Sequence, residues 1–187
     1  MVPYLLATAQ AFCNLYGVHR PALQTPTVIE AFDEYDGRAL VAARCRFDRD
    51  GTALSAEGLK RLHQDQRGFQ AYFADTLNRW LDGVYDSAPG VETWDCFYRR
   101  VANSIQQIMD RNGQGKRLAL FTSGGPITAV VKRVLGLSPR TAVELGWQLM
   151  NASLTIIQYN NGRMALSQFN NTTQLLLERD AALMTYR

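Results

Sequence analysis

Cysteine, histidine and long apolar runs are what this chain of 187 residues has least of. Cys13, Cys45 and Cys96 stand far apart, form no Cys-x-x-Cys pair, and have only His19 and His63 as conceivable co-ligands. That argues against a zinc site and against a disulfide framework, and fits reduced thiols in a cytosolic protein. No apolar run approaches the ~20 residues that span a bilayer. The opening Met-Val-Pro-Tyr-Leu-Leu lacks the basic stretch that begins a secretory signal. A formal charge of +3 is mild, and the Lys and Arg residues are spread along the chain, so nothing marks a nucleic-acid surface. Repeats, low-complexity segments and the G-x-G-x-x-G dinucleotide fingerprint are also absent. The expectation is a cytoplasmic protein with neither a membrane nor a nucleic-acid partner.

What is present is ordinary for a globular protein: 47% hydrophobic and 20% charged residues. The length suits one substantial core, so residues 1–187 are expected to form a single domain. Leu5, Ala9, Phe12, Cys13 and Tyr16 share a helical face that Gly17 closes. Thr25 to Ala31 read as a short strand, followed by the acidic turn Asp33-Glu34-Tyr35-Asp36-Gly37. A loop is expected at Phe47-Asp48-Arg49-Asp50-Gly51. An amphipathic helix carries Phe69, Tyr72, Phe73, Leu77, Trp80, Leu81 and Val84, and Asp86-Ser87-Ala88-Pro89-Gly90 breaks it. A second carries Trp94, Phe97, Val101, Ile105, Ile108 and Met109, ending near Asn112-Gly113. Ser138 caps a further helix with Pro139 at its first position. Leu154–Tyr159 and Met164–Phe169 flank Asn160-Asn161-Gly162, a hairpin signal. Strands alternating with helices imply an α/β sheet covered on both faces.

The densest information lies between Leu118 and Ile127. Leu118 to Phe121 read as a buried strand, and Thr122, Ser123, Gly124 and Gly125 supply small residues free to turn. Pro126 suits a helix start, and Ile127, Val130, Val131, Val134 and Leu135 recur at helical spacing. A strand turning through Gly-Gly into a helix leaves backbone N–H groups at the positive end of a dipole, an anion site suited to phosphate. A purely structural tight turn, or a nucleotide-binding Rossmann-like turn, would use the same residue types.

The order of the remaining segments favours one reading, with a non-catalytic phosphate-binding module and a nucleotide-binding Rossmann-like domain as the alternatives. After the turn come Asn151-Ala152-Ser153-Leu154-Thr155, the hairpin, Phe169-Asn170, and Leu183-Met184-Thr185-Tyr186-Arg187. Before it come Phe32-Asp33-Glu34-Tyr35-Asp36 and Glu92-Thr93-Trp94 with Phe97 and Arg100-Val101. This succession, from about Leu5 onward, resembles the phosphoglycerate-mutase-like branch of the histidine phosphatase superfamily. The resemblance implies a three-layer αβα fold. It also implies phosphoryl transfer through a phosphohistidine on a small phosphorylated molecule, with no metal or organic cofactor. The nucleophile would be a histidine in an Arg-His-Gly motif ending the first strand. A second histidine and arginines would surround the phosphoryl group, and a carboxylic acid would protonate the leaving oxygen. Carried onto this chain, that acid is Glu34.

The departures from the pattern are as informative. No Arg-His-Gly occurs in the chain. His19 stands in Gly-Val-His-Arg-Pro and His63 on a polar helical stretch, and both are expected to be solvated. Ser123 occupies the place of the second histidine. It can donate one hydrogen bond to a phosphate oxygen but brings no positive charge. Gln174 stands for the late histidine, and no arginine precedes Thr8. Without the nucleophile no phosphohistidine forms, so the chain as printed is expected to be inactive, an N-terminally truncated member or one whose Met1 is a wrongly chosen start. On that expectation the upstream frame encodes roughly 50 further residues including a strand that ends in Arg-His-Gly.

Overall fold

The computed structural model describes residues 3–17, 25–47, 57–58, 61, 64–160 and 162–177. His19, His63 and the segment Leu183 to Arg187 lie outside the described residues, as does most of the expected loop from Phe47 to Gly51. The chain divides into two compact units, Tyr35–Arg99 and the combination of Met1–Glu34 with Arg100–Arg187.

In the Tyr35–Arg99 unit, helix α2 (Gly37–Phe47) begins at Asp36, whose Oδ1 accepts the N–H groups of Arg38 and Ala39 at 2.9 and 3.0 Å. Asp36 therefore ends the acidic turn by capping a helix, satisfying donors that the first turn leaves orphaned. Helix α3 (Gln66–Leu81) is capped in the same way by Asp65, which accepts from Gly68 N at 3.1 Å. It stops at Leu81, so Val84 lies beyond the helix and is exposed, not on its apolar face. Arg44 ties α2 to α3. Its buried guanidinium donates to Tyr72 O at 2.8 Å and Thr76 Oγ1 at 3.0 Å, and pairs with Asp75 at 2.7 Å. It also lies 3.9 Å over the Tyr72 ring, so its one charge is met by carbonyl, carboxylate and π-face together. The rings of Tyr35, Trp80, Trp94 and Phe97 form the core, with Trp80 edge-on to Trp94 at 5.4 Å and Tyr35 edge-on to Phe97 at 5.5 Å. Trp80 Nε1 is satisfied by Glu92 O at 2.7 Å.

Helix α4 (Trp94–Asn112) runs as the sequence predicts and ends before Gly113, whose φ is +65°. From Arg100 onward it belongs to the other unit. That unit also contains α1 (Pro3–Gly17), a single 3-10 turn at Glu30–Phe32, α5 (Gly124–Leu135) and α6 (Pro139–Gly146). The hairpin β1 (Leu154–Asn160) and β2 (Arg163–Asn171) and the short α7 (Thr173–Leu177) complete it. Ser138 caps α6 by accepting from Thr141 N at 3.1 Å, with Pro139 at the start. Asn160 faces Arg163 across the hairpin turn, and Gly162 takes the φ of +76° that a tight turn of this kind demands. β2 is longer than β1, and the mismatch is absorbed by irregular register at Ile156. Val101, Ala129, Val131 and Ala142 are buried almost completely. Arg133 on α5 donates to Ala102 O at 3.0 Å and to Gln106 Oε1, clipping α5 to α4. Where α5 and α6 approach, a Cβ added at Gly146 would overlap the Thr128 hydroxyl, so only glycine permits the contact.

Two expected strands do not form. Thr25 to Ile29 belongs to no strand, and Glu30 to Phe32 coil into the 3-10 turn. Leu118 to Phe121 is likewise outside any sheet, with Leu118 and Leu120 exposed by 47% and 43%. Both sequences suit strands, but a strand is defined by its neighbour. The sheet of the described residues is the two-stranded antiparallel hairpin, which includes neither segment. A four-residue apolar run does not by itself establish burial. The chain is thus a mixed structure of helices and a small antiparallel sheet.

Candidate functional site

Helix α5 starts where the glycine turn predicts it, with Ser123 as the extended cap residue (φ −92°, ψ 178°) and Gly124 as the first helical residue. Gly124 and Gly125 do not use the conformational freedom expected of them. Neither has positive φ, and both are ordinary, buried members of the first helical turn, as is Pro126. Backbone N–H groups in the first turn of a helix lie at the positive end of its dipole, where an anionic acceptor is favoured.

An internal anion approaches there. Gly125 N donates to Glu34 Oε2 at 3.0 Å, across ninety-one positions of sequence. The two site features expected from the sequence, the acid and the turn, are thus in direct hydrogen-bond contact within one unit. A carboxylate at this place is favoured twice, by the hydrogen bond and by the positive end of the helix dipole. Glu34 is half-buried, so it is not simply a solvated loop carboxylate.

The segment that carries Glu34 is pinned at three consecutive carbonyls. Arg100 Nη1 donates to Ala31 O and to Asp33 O, each at 2.9 Å, and Thr122 Oγ1 donates to Phe32 O at 2.8 Å. Phe32 itself is buried, anchoring the 3-10 turn in the core. Thr122 therefore serves as a clamp on its neighbouring segment. Arg100 is a positioning residue to which sequence reasoning gave no role beyond its place in the order of segments. Its signal was an arginine between Phe97 and Val101 on a helix face otherwise apolar, the place where a charge needs a specific partner.

Ser123 behaves unlike an ordinary cap. Serine at this position normally accepts an N–H of the first helical turn, but here it makes no such bond, and its Oγ is shielded from solvent without a hydrogen-bond partner. Gln174 is engaged elsewhere, donating to Ala152 O at 2.8 Å. Asn170, in left-handed conformation at φ +53°, accepts from Met150 N at 2.9 Å and donates to Gln148 O at 2.6 Å. These two side chains shape the loop before β1. Among the described residues, no group of three or more His, Cys, Asp or Glu side chains is placed to hold a metal ion, and no helix is long and apolar enough to cross a membrane.

No curated protein and no solved structure matches the chain. The sequence pattern of the histidine phosphatase superfamily (branch 1) matches residues 57–172, more than half of it. The match includes Arg100, the Thr122–Gly125 turn, the hairpin and Asn170, while Glu34 lies before it. On this match the chain belongs to the histidine phosphatase superfamily, branch 1.

Proposed function

We propose that this chain is a phosphate-binding member of the superfamily whose lineage chemistry is phosphomonoester hydrolysis, or phosphoryl transfer, through a phosphohistidine. In this reading the backbone N–H groups and small side chains of Thr122, Ser123, Gly124 and Gly125 hold the phosphate of a small soluble molecule. Glu34 stands where the leaving oxygen would be protonated. The single observation that carries the reading is the 3.0 Å contact between Gly125 N and Glu34 Oε2, which supports a shared site for acid and anion. The family match supports the chemistry and the wider αβα, phosphoglycerate-mutase-like architecture. The sparse, unpaired cysteines support a cytoplasmic setting.

Phosphate is suited to such a turn because its charge meets the dipole and its several oxygens can accept from more than one donor. The turn alone cannot cleave an ester. No Arg-His-Gly occurs in the sequence, so the motif that carries the nucleophile of the lineage mechanism has no counterpart in it. We therefore propose that the chain as printed binds phosphate and turns over no phosphomonoester, a chemistry that calls on no metal or organic cofactor.

The test has two readouts. Purified chain is expected to hydrolyse p-nitrophenyl phosphate no faster than buffer, while inorganic phosphate shifts the amide resonances of Ser123 to Gly125. Hydrolysis that survives purification and is lost on His19→Ala or His63→Ala would refute the inactive assignment. Phosphate shifts confined to residues far from the turn would refute the binding assignment.

A further inference from the structure

We propose that the Glu34 carboxylate is a built-in occupant of the anion site at the start of α5, and that phosphate binds there only by displacing it. The inference rests on the phosphate-binding reading above and concerns how that site is regulated. Two independent observations carry it. The first is the carboxylate seated on Gly125 N–H at 3.0 Å, supplied by a residue far away in sequence rather than by the helix itself. The second is the Ser123 hydroxyl, enclosed beside the same turn with no partner. A buried hydroxyl normally finds a hydrogen bond, so an orphaned one marks a place where a further acceptor fits.

The two observations point to one ligand chemistry. Through Oε2 the carboxylate satisfies the Gly125 N–H and leaves the Ser123 hydroxyl unmet. A phosphate group has enough oxygens to accept from both donors at once, and carries more charge to the helix end. Phosphate is thus the better-matched occupant and Glu34 the resident one.

Displacement can leave the backbone of the segment in place. The Glu30–Phe32 turn and Asp33 are held by Arg100 and Thr122 through the carbonyls of Ala31, Phe32 and Asp33. Glu34 follows immediately, so its carboxylate can rotate off Gly125 while its backbone stays tethered beside the turn. The displaced group remains next to the newly bound phosphate, in position for the acid role.

The experiment is a titration of inorganic phosphate into the whole chain, followed at the Ser123, Gly124 and Gly125 amides, for wild type, Glu34→Ala, Glu34→Gln and Ser123→Ala. Removing the competing carboxylate is expected to tighten phosphate binding about tenfold in Glu34→Ala, the ratio that corresponds to loss of one charge-assisted hydrogen bond. Glu34→Gln, which keeps shape and loses charge, is expected to fall between the two and serves where the alanine variant fails to fold. Ser123→Ala is expected to weaken binding. Unchanged or weaker binding in both Glu34 variants, with shifts still centred on the turn, overturns the displacement proposal and leaves the phosphate reading standing. No shift at the turn in any folded variant overturns both.

Discussion

Arg100 is the residue whose loss should loosen the candidate site without touching the Thr122–Gly125 turn. In Arg100→Met the aliphatic stem is retained and the guanidinium removed, and the hydrogen bonds to Ala31 O and Asp33 O go with it. Hydrogen bonds from a charged donor are worth about 1.5–3 kcal/mol each to stability. The two here share one nitrogen, and the site is half-buried, so water can replace part of what is lost. A net destabilisation of about 2 kcal/mol follows from discounting the pair for those two effects. For a chain of this size each kcal/mol lowers Tm by about 2–4 °C, so a fall of about 4–8 °C is expected in thermal unfolding. Lysine at the same position offers a compact charge without the planar fork and should recover only part of it. The local signature is more telling than Tm. Amide exchange should accelerate at Phe32, Asp33 and Glu34 while the α6 amides keep their protection. An unchanged Tm together with unchanged exchange at those three amides would show that Arg100 does not hold the Glu34 segment.

Gly146→Ala is expected to destabilise by about 1–3 kcal/mol through overlap with Thr128, despite the better helix propensity of alanine. Adding Thr128→Ala should recover part of the loss, and denaturant unfolding of both variants that gave simple additivity would dismiss the clash. Asp36→Ala removes an acceptor for two orphan N–H groups and should cost about 0.5–2 kcal/mol, measured in the same way. Unaltered stability would mean that water replaces this cap without loss.

The helices were legible because their information is local. Spacing of apolar residues, Ser138 before Pro139, and glycine after the last turn specify a helix through bonds that reach only four residues, and α3, α4, α5 and α6 form accordingly. The hairpin was legible for the same reason, since Asn160-Asn161-Gly162 brings its two strands together over a short loop. Asp36 and Asp65 illustrate a local signal that was there to read, an acid immediately before a helix, although the first was absorbed into a supposed turn.

What tertiary structure alone decided was pairing across distance. Leu118 to Phe121 has a strand's composition, but whether it joins a sheet depends on a neighbour that no local pattern contains. Likewise the residues of the glycine turn announce a helix start open to an anion, yet only the folded chain brings Glu34 onto Gly125 and Arg100 onto the carbonyls before it. Those contacts join residues 67 to 91 positions apart, and hydrogen bonds at that separation are set by how the helices pack. Residue order therefore determined which groups could form an anion site, while packing determined which of them meet.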